Sequence, residues 1–150
     1  MPQIVHHAID IAASPDAIWA VFADLSTWPR WFPRTRAARS QGDPFRPGGR
    51  IDVELEVPVA GRIPLRLDVK EVTPARRVLW HGAAYGIAGE HSYAFDDRGK
   101  WTRVTSHEEL RAAGIAKSFA IRLARGRLDV EVHESLGKLR DLVEQSARTR

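Results

Sequence analysis

The chain has 150 residues, 43% hydrophobic and 28% charged, with a net charge of +4, a pI near 10 and no cysteine. One domain of that length buries roughly two-thirds of its unfolded surface, enough for its own core, and the lack of cysteine excludes disulfide scaffolds, zinc ribbons and thiol nucleophiles. The longest uncharged apolar run, Ala17 to Ala23, is far short of the about 20 residues of a membrane span, and His6, His7 and Asp10 stand where a signal peptide would be apolar, so a single soluble, cytoplasmic domain over 1–150 is expected.

Ile4 to Ile11 is rich in β-formers and predicts a first strand. Ser14-Pro15-Asp16 then supplies an N-cap, a proline at the first helical position and an acid at the positive helix end. Ile18, Trp19, Phe22 and Leu25 follow at three- and four-residue spacing, which predicts an amphipathic helix. A second short helix or turn is expected through Trp28-Pro29-Arg30-Trp31-Phe32-Pro33. The stretch Arg30 to Arg50 holds six arginines against the single acid Asp43. However, 19 of the 23 basic residues of the chain are arginine and asparagine is absent, which points to codon composition. With Pro29, Pro33, Pro44, Pro47, Gly48 and Gly49 in the segment, a solvated loop is the reading, and no nucleic-acid partner is expected.

From Gly48 the period changes to two. Ile51, Val53, Leu55 and Val57 alternate with Asp52, Glu54 and Glu56, and after Gly61 the residues Ile63, Leu65, Leu67 and Val69 alternate with Arg62, Arg66, Asp68 and Lys70, giving two half-buried antiparallel strands. Further strands are predicted over 77–83, 88–95 and 102–110, bounded by the turn signals Thr73-Pro74, Tyr85-Gly86 and Asp96-Asp97-Arg98-Gly99. After Gly114 a long helix is expected, with Phe119, Leu123, Leu128, Val132, Leu136, Leu139 and Val143 along its inner face. The order strand, two short helices, antiparallel meander of a six- or seven-stranded sheet, long helix is an α+β arrangement with helices on one face.

Alternation also fixes the register of the last two strands, because a one-residue slip would turn every apolar side chain to the wrong face. Pairing Phe95 with Val104 leaves the loop Arg98 to Trp101, and sets Tyr93 opposite Ser106 and His91 opposite Glu108. A histidine and a carboxylate thus share a face with Phe95, Val104 and Leu110, beneath the long helix. Such a pair is either a satisfied internal ion pair or a polar site in a cavity, where Glu108 orients His91 or takes a proton and Tyr93 donates a hydrogen bond. Five tryptophans, four of them Trp19, Trp28, Trp31 and Trp80, together with Phe32, provide either ordinary core or the wall of an apolar pocket. His6 and His7 point to opposite faces of a strand and cannot chelate jointly, and Asp129 with His133 reads as a solvated helix pair, so no metal is assigned. No zincin spacing, phosphate loop or G-x-S-x-G elbow is present.

These residues resemble the START-like superfamily with a helix-grip fold, specifically its bacterial polyketide cyclase/dehydrase branch, also called SRPBCC. The likeness runs along nearly the whole chain: Ile9 to Trp19 leading into Asp24 and Trp28-Pro29-Arg30-Trp31; Gly48-Gly49-Arg50; Val72-Thr73-Pro74 with Leu79-Trp80-His81-Gly82; and Gly89-Glu90-His91-Ser92-Tyr93. The resemblance implies a seven-stranded antiparallel sheet wrapped around the C-terminal helix, two short helices after strand one, a deep apolar cavity between sheet and helix, and no cofactor. It places a His-aromatic pair and a later Glu at His91, Tyr93 and Glu108, and often has His or Gln where this chain has Ser106.

The expected function is therefore binding of a small hydrophobic or aromatic ligand in a pocket lined by Trp31, Phe32, Trp80, Ser106, Leu110, Phe119 and Leu123, with His91, Tyr93 and Glu108 at its polar end. A cyclase or dehydratase in which Glu108 or His91 moves a proton α to a ketone is the alternative. A protein-partner module using the basic segment Arg30 to Arg50 is a third reading. Integral membrane association is not expected, and a monomer and a homodimer are both compatible with the sequence.

Overall fold

A computed structural model describes residues 2–58, 60–84 and 86–149. The chain runs β1 (Gln3–Ile11), α1 (Pro15–Phe22), a single 3-10 turn (Leu25–Thr27), α2 (Trp28–Trp31), β2 (Thr35–Arg39), β3 (Arg50–Val57), β4 (Gly61–Thr73), β5 (Arg77–Ala84), β6 (Ile87–Asp97), β7 (Thr102–Ala112) and α3 (Ile115–Arg148). The seven strands form one antiparallel sheet in the order β1-β7-β6-β5-β4-β3-β2, so the first strand closes against the last and β2 is the far edge. This is the helix-grip arrangement: the sheet curls, and the three helices lie on its concave face.

Local chemistry accounts for the elements. Ser14 is extended and its hydroxyl accepts the Ala17 N–H at 3.2 Å, while Pro15 and Asp16 occupy the first turn of α1. Ile18 and Phe22, one turn apart, are fully buried. Asp24 caps the turn that follows through the Ser26 N–H. On the sheet the two-residue period puts Ile51, Val53, Leu67, Val69, Val78, Trp80, Tyr93, Phe95 and Val104 inside, with charged neighbours outside. Phe22 is the hub of the core, its ring within 4.9–6.3 Å of the rings of Trp19, Trp28, Trp31, Phe45, Trp80, Tyr93 and Phe95. Burying one such ring stabilises the fold by about 1.5–3 kcal/mol.

Three features differ from the sequence reading. Within the expected loop, Thr35–Arg39 forms the edge strand β2, which pairs with β3 through a bulge between Thr35 and Ala37. Its residues Thr-Arg-Ala-Ala-Arg carry no apolar alternation, and bulges break the two-residue period. Three of the six arginines of that segment are engaged within the chain: Arg34 grips Glu131 of α3 with both Nε and Nη2, Arg36 Nη1 donates to Glu56 at 2.9 Å, and Arg50 Nε donates to Asp52 at 3.2 Å. The third difference is the phase of the first half of α3; in its second half Val132, Leu136, Leu139 and Val143 are buried as expected. Its buried residues are Ile121, Val132, Ser135, Leu136, Leu139 and Val143. Phe119 and Leu123 each lie two residues from Ile121, about 200° around the helix, so both point outward and are 59% and 71% exposed. The predicted turn residue Tyr85 lies outside the described residues; Gly86 beside it has φ 76°, a left-handed conformation that glycine adopts without strain.

Candidate functional site

The predicted register of the last two strands is the observed one: Phe95 pairs with Val104, Tyr93 with Ser106 and His91 with Glu108. On β5, Val78 pairs with Tyr93, Trp80 with His91 and Gly82 with Gly89. The inner face thus carries three adjacent rows, Val78-Tyr93-Ser106, Trp80-His91-Glu108 and Gly82-Gly89-Leu110. They pass from the packed core to the end of the sheet beneath the first half of α3.

The middle row holds the chemistry. His91 is 6% exposed and boxed by rings: Tyr93 stacks on it with centroids 4.4 Å apart, and Trp80 and Phe32 lie at 5.6 and 6.2 Å. Its Nε2 shares a 2.7 Å hydrogen bond with the Ser106 hydroxyl, leaving Nδ1 to face Glu108 Oε2 at 4.0 Å. Burial, reinforced by the neighbouring His107, lowers the His91 pKa to about 3, so the imidazole is neutral at physiological pH. Glu108 shows the converse. Protein surrounds its carboxyl on most sides, although 24% of the side chain meets solvent, and desolvation raises its pKa to about 7. Among the described residues none donates a hydrogen bond to that carboxyl. Tyr93 is held above the usual phenol range by burial first and by the Glu108 charge second, with the Ser106 hydroxyl acting in the opposite direction.

The predicted site residues fall into three groups. Glu108, Leu110 and Phe32 are half-buried, facing the interior beside His91. Trp31, Trp80, Tyr93 and Ser106 are buried behind it as a ring-on-ring wall: the Trp31 indole N–H donates to Thr27 Oγ1 at 3.1 Å, and its carbonyl accepts from Ser135 of α3 at 2.6 Å. Phe119 and Leu123 belong to neither, being on the outer side of α3. Gly82 and Gly89, which belong to the motifs of the resemblance, have a role at the site that the sequence did not assign. A Cβ at Gly89 would stand 3.0 Å from Leu110 Cδ2 and 3.9 Å from Glu108 Oε1, and one at Gly82 would stand 3.0 Å from Leu67 Cδ2. These glycines let the leucine tips and the carboxyl settle low on the sheet, and glycine at an inward strand position is the signal that marks them.

Elsewhere, two open grooves of about 350 and 550 Å³ lie on the outer face over β2 to β5, edged by Arg39, Asp52, Glu54, Arg62 and Arg66, away from His91 and Glu108. His6 and His107 meet through their Nδ1 atoms at 3.0 Å, and Asp129 pairs with His7 at 2.9 Å in place of the expected His133. Among the described residues no group of three or more His, Asp or Glu side chains is arranged to hold a metal ion, and no helix is long and apolar enough to cross a membrane.

With this geometry in hand, the chain matches the family model described as polyketide cyclase/dehydrase and lipid transport over residues 2–144. No functionally curated protein matches it in sequence. Among solved structures it is similar to the Zhui aromatase/cyclase from Streptomyces sp. R1128, with 17% identity, a TM-score of 0.80 and coverage of 100% of this chain and 97% of that one. The di-domain aromatase/cyclase StfQ from the steffimycin biosynthetic pathway matches at 11% identity and TM-score 0.79, covering 98% of this chain and 52% of that one. A conserved protein from Geobacillus kaustophilus matches at 13% identity and TM-score 0.76, covering 96% and 97%. At such identities the likeness is one of fold.

Proposed function

We propose, for a chain that belongs to the polyketide cyclase/dehydrase and lipid transport family, that it binds a small, largely apolar or fused-aromatic ligand between the inner sheet face and the first half of α3. The observation that carries this reading is Glu108: a half-buried carboxyl with a raised pKa and no hydrogen-bonding partner from the described residues, set between the aromatic wall and Leu110. Such a group is supplied with a partner by a ligand hydroxyl or ketone. The neutral His91 and the apolar surroundings disfavour an anionic ligand.

The same observation favours a second reading, a proton-transfer enzyme. A carboxyl that titrates near neutrality is matched to general acid–base work. Glu108 as carboxylate would take the proton α to a ketone and, once protonated, return it to a departing hydroxyl, so that water leaves and a double bond forms. The Zhui and StfQ proteins are described as aromatase/cyclases, which agrees with this chemistry.

Native mass spectrometry of the purified protein, followed by titration with 2-naphthol read through tryptophan emission, tests the binding reading. A retained adduct, or saturable quenching by the naphthol, is expected, and Leu110→Trp, which fills the space beside Glu108, should abolish it while the protein remains folded. Absence of both signals in the wild type refutes the reading. Should a substrate be turned over, Glu108→Gln should keep its affinity within a few-fold and lower turnover by about 10²-fold or more.

A further inference from the structure

We propose that the first half of α3 is a docking surface for an anionic membrane. Ile115, Phe119, Leu123 and Val130 are 91%, 59%, 71% and 54% exposed. At 100° per residue they fall within an arc of about 80°, and that arc lies about 180° from Ile121 and Leu139, which pack onto the sheet. The helix therefore has two apolar stripes, and only one is used by the fold.

The charge around the unused stripe selects its partner. Residues 110–128 contain Arg111, Lys117, Arg122, Arg125 and Arg127 and no acid, whereas 129–148 contain five acids. Among the described residues, none of Lys117, Arg122, Arg125 and Arg127 is paired with a carboxylate; the acids that α3 does carry near its middle are engaged elsewhere, Asp129 with His7 and Glu131 with Arg34. Arg122 and Arg127 flank the stripe on its two sides. An aromatic and aliphatic face with a basic border is the pattern of a helix that lies in the headgroup region of a bilayer. A second copy of the chain fits less well. Parallel pairing of this face sets Arg122 of one copy against Arg127 of the other. Anionic lipid neutralises these charges. The proposal does not depend on the ligand site: the stripe and its flanking Arg122 and Arg127 lie on the outer side of α3, whereas Lys117 and Arg125 are on the sheet side, against Gly86 and the Ile4 carbonyl, and add only to the local positive charge.

Co-sedimentation with vesicles tests it, comparing phosphatidylcholine alone with equal parts of phosphatidylcholine and phosphatidylglycerol. Binding to the mixed vesicles and not to the neutral ones is expected, weakening as salt rises. Since each basic residue near an anionic surface contributes about fivefold, the pair Arg122→Glu and Arg127→Glu should lower vesicle affinity at least about tenfold. Phe119→Ser should also lower it, with circular dichroism unchanged in both variants because the residues are exposed. The proposal is overturned if the wild type does not sediment with mixed vesicles or if these substitutions leave binding unchanged. A concentration-dependent dimer that Phe119→Ser abolishes, without vesicle binding, would assign the face to a second copy and equally overturn it.

Discussion

Replacing Glu108 by glutamine exposes the electrostatics of the site through stability. In the folded chain the carboxyl titrates at about 7, against 4.5 when unfolded. The folded state therefore holds more protons than the unfolded state between those values, and this group's contribution to stability is full below pH 4.5 and is lost as pH rises towards 7. At about 1.4 kcal/mol per pH unit the loss reaches about 3 kcal/mol, and partial solvent access to the side chain lowers it to about 1.5–3 kcal/mol. His91 acts oppositely: its pKa falls from 6.5 to about 3 on folding, so its contribution is present above pH 6.5 and is lost as pH falls. Between about 4.5 and 6.5 the two slopes oppose each other, and the pair leaves the wild-type profile nearly flat there. Glutamine mimics the protonated acid. Glu108→Gln should thus match the wild type within about 0.5 kcal/mol near pH 4.5, yet near pH 8.5 be more stable, with a Tm higher by about 3–10 °C. Urea and thermal unfolding followed by circular dichroism across that range measure the difference, in which all other titrating groups cancel. An offset independent of pH, or a variant less stable than wild type at pH 8.5, would refute the argument.

Two further outcomes probe the wall behind the site. Trp80→Ala removes a fully buried ring from among Trp28, Tyr93 and His91 and should cost about 3–5 kcal/mol in urea unfolding. Ser106→Ala leaves His91 Nε2 without its 2.7 Å partner in a dry site and should cost about 1–3 kcal/mol, read from the urea midpoint at pH 8, where the imidazole is neutral in both states.

The parts of the fold that were legible in the sequence are those fixed by a local rule. Ser14-Pro15-Asp16 specified the start of α1 by a cap hydrogen bond, a fixed proline φ and an acid at the positive helix end, and the alternation of β6 and β7 specified their register down to His91 opposite Glu108, since any slip buries charge. Both depend on contacts between near neighbours or between strands joined by a short loop. β2 was hidden because an edge strand of five residues with a bulge needs only one pairing partner and buries little. The stripe of Val132, Leu136, Leu139 and Val143 was legible, but the phase of the first half of α3 was hidden for a different reason. Phe119 and Leu123 continue the spacing of the inner stripe as plausibly as Ile121 does, and only tertiary packing decides which of two apolar stripes meets the sheet.

That ambiguity has a consequence for the site itself. The aromatic residues that the sequence offered as the wall of a pocket are used up in packing: with Trp31, Trp80 and Tyr93 each 1% exposed and Phe22 among them, that half of the concave face is solid. Opening it for a ligand would mean displacing rings whose removal costs several kcal/mol each. Room is cheaper at the other end, where Leu55, Leu65, Ile63 and Leu110 are only half covered and the closest backbone approach of α3 is to β1 and β7. The boundary between the two halves runs along the row Trp80-His91-Glu108. This is why the residue on the packed side of that row, His91, is held neutral, while the residue on the open side, Glu108, retains a proton that can be exchanged near neutral pH. A ligand seated at the open end would meet its polar contact at this boundary and its apolar contacts on Leu110, Leu65 and Phe32, with no rearrangement of the core.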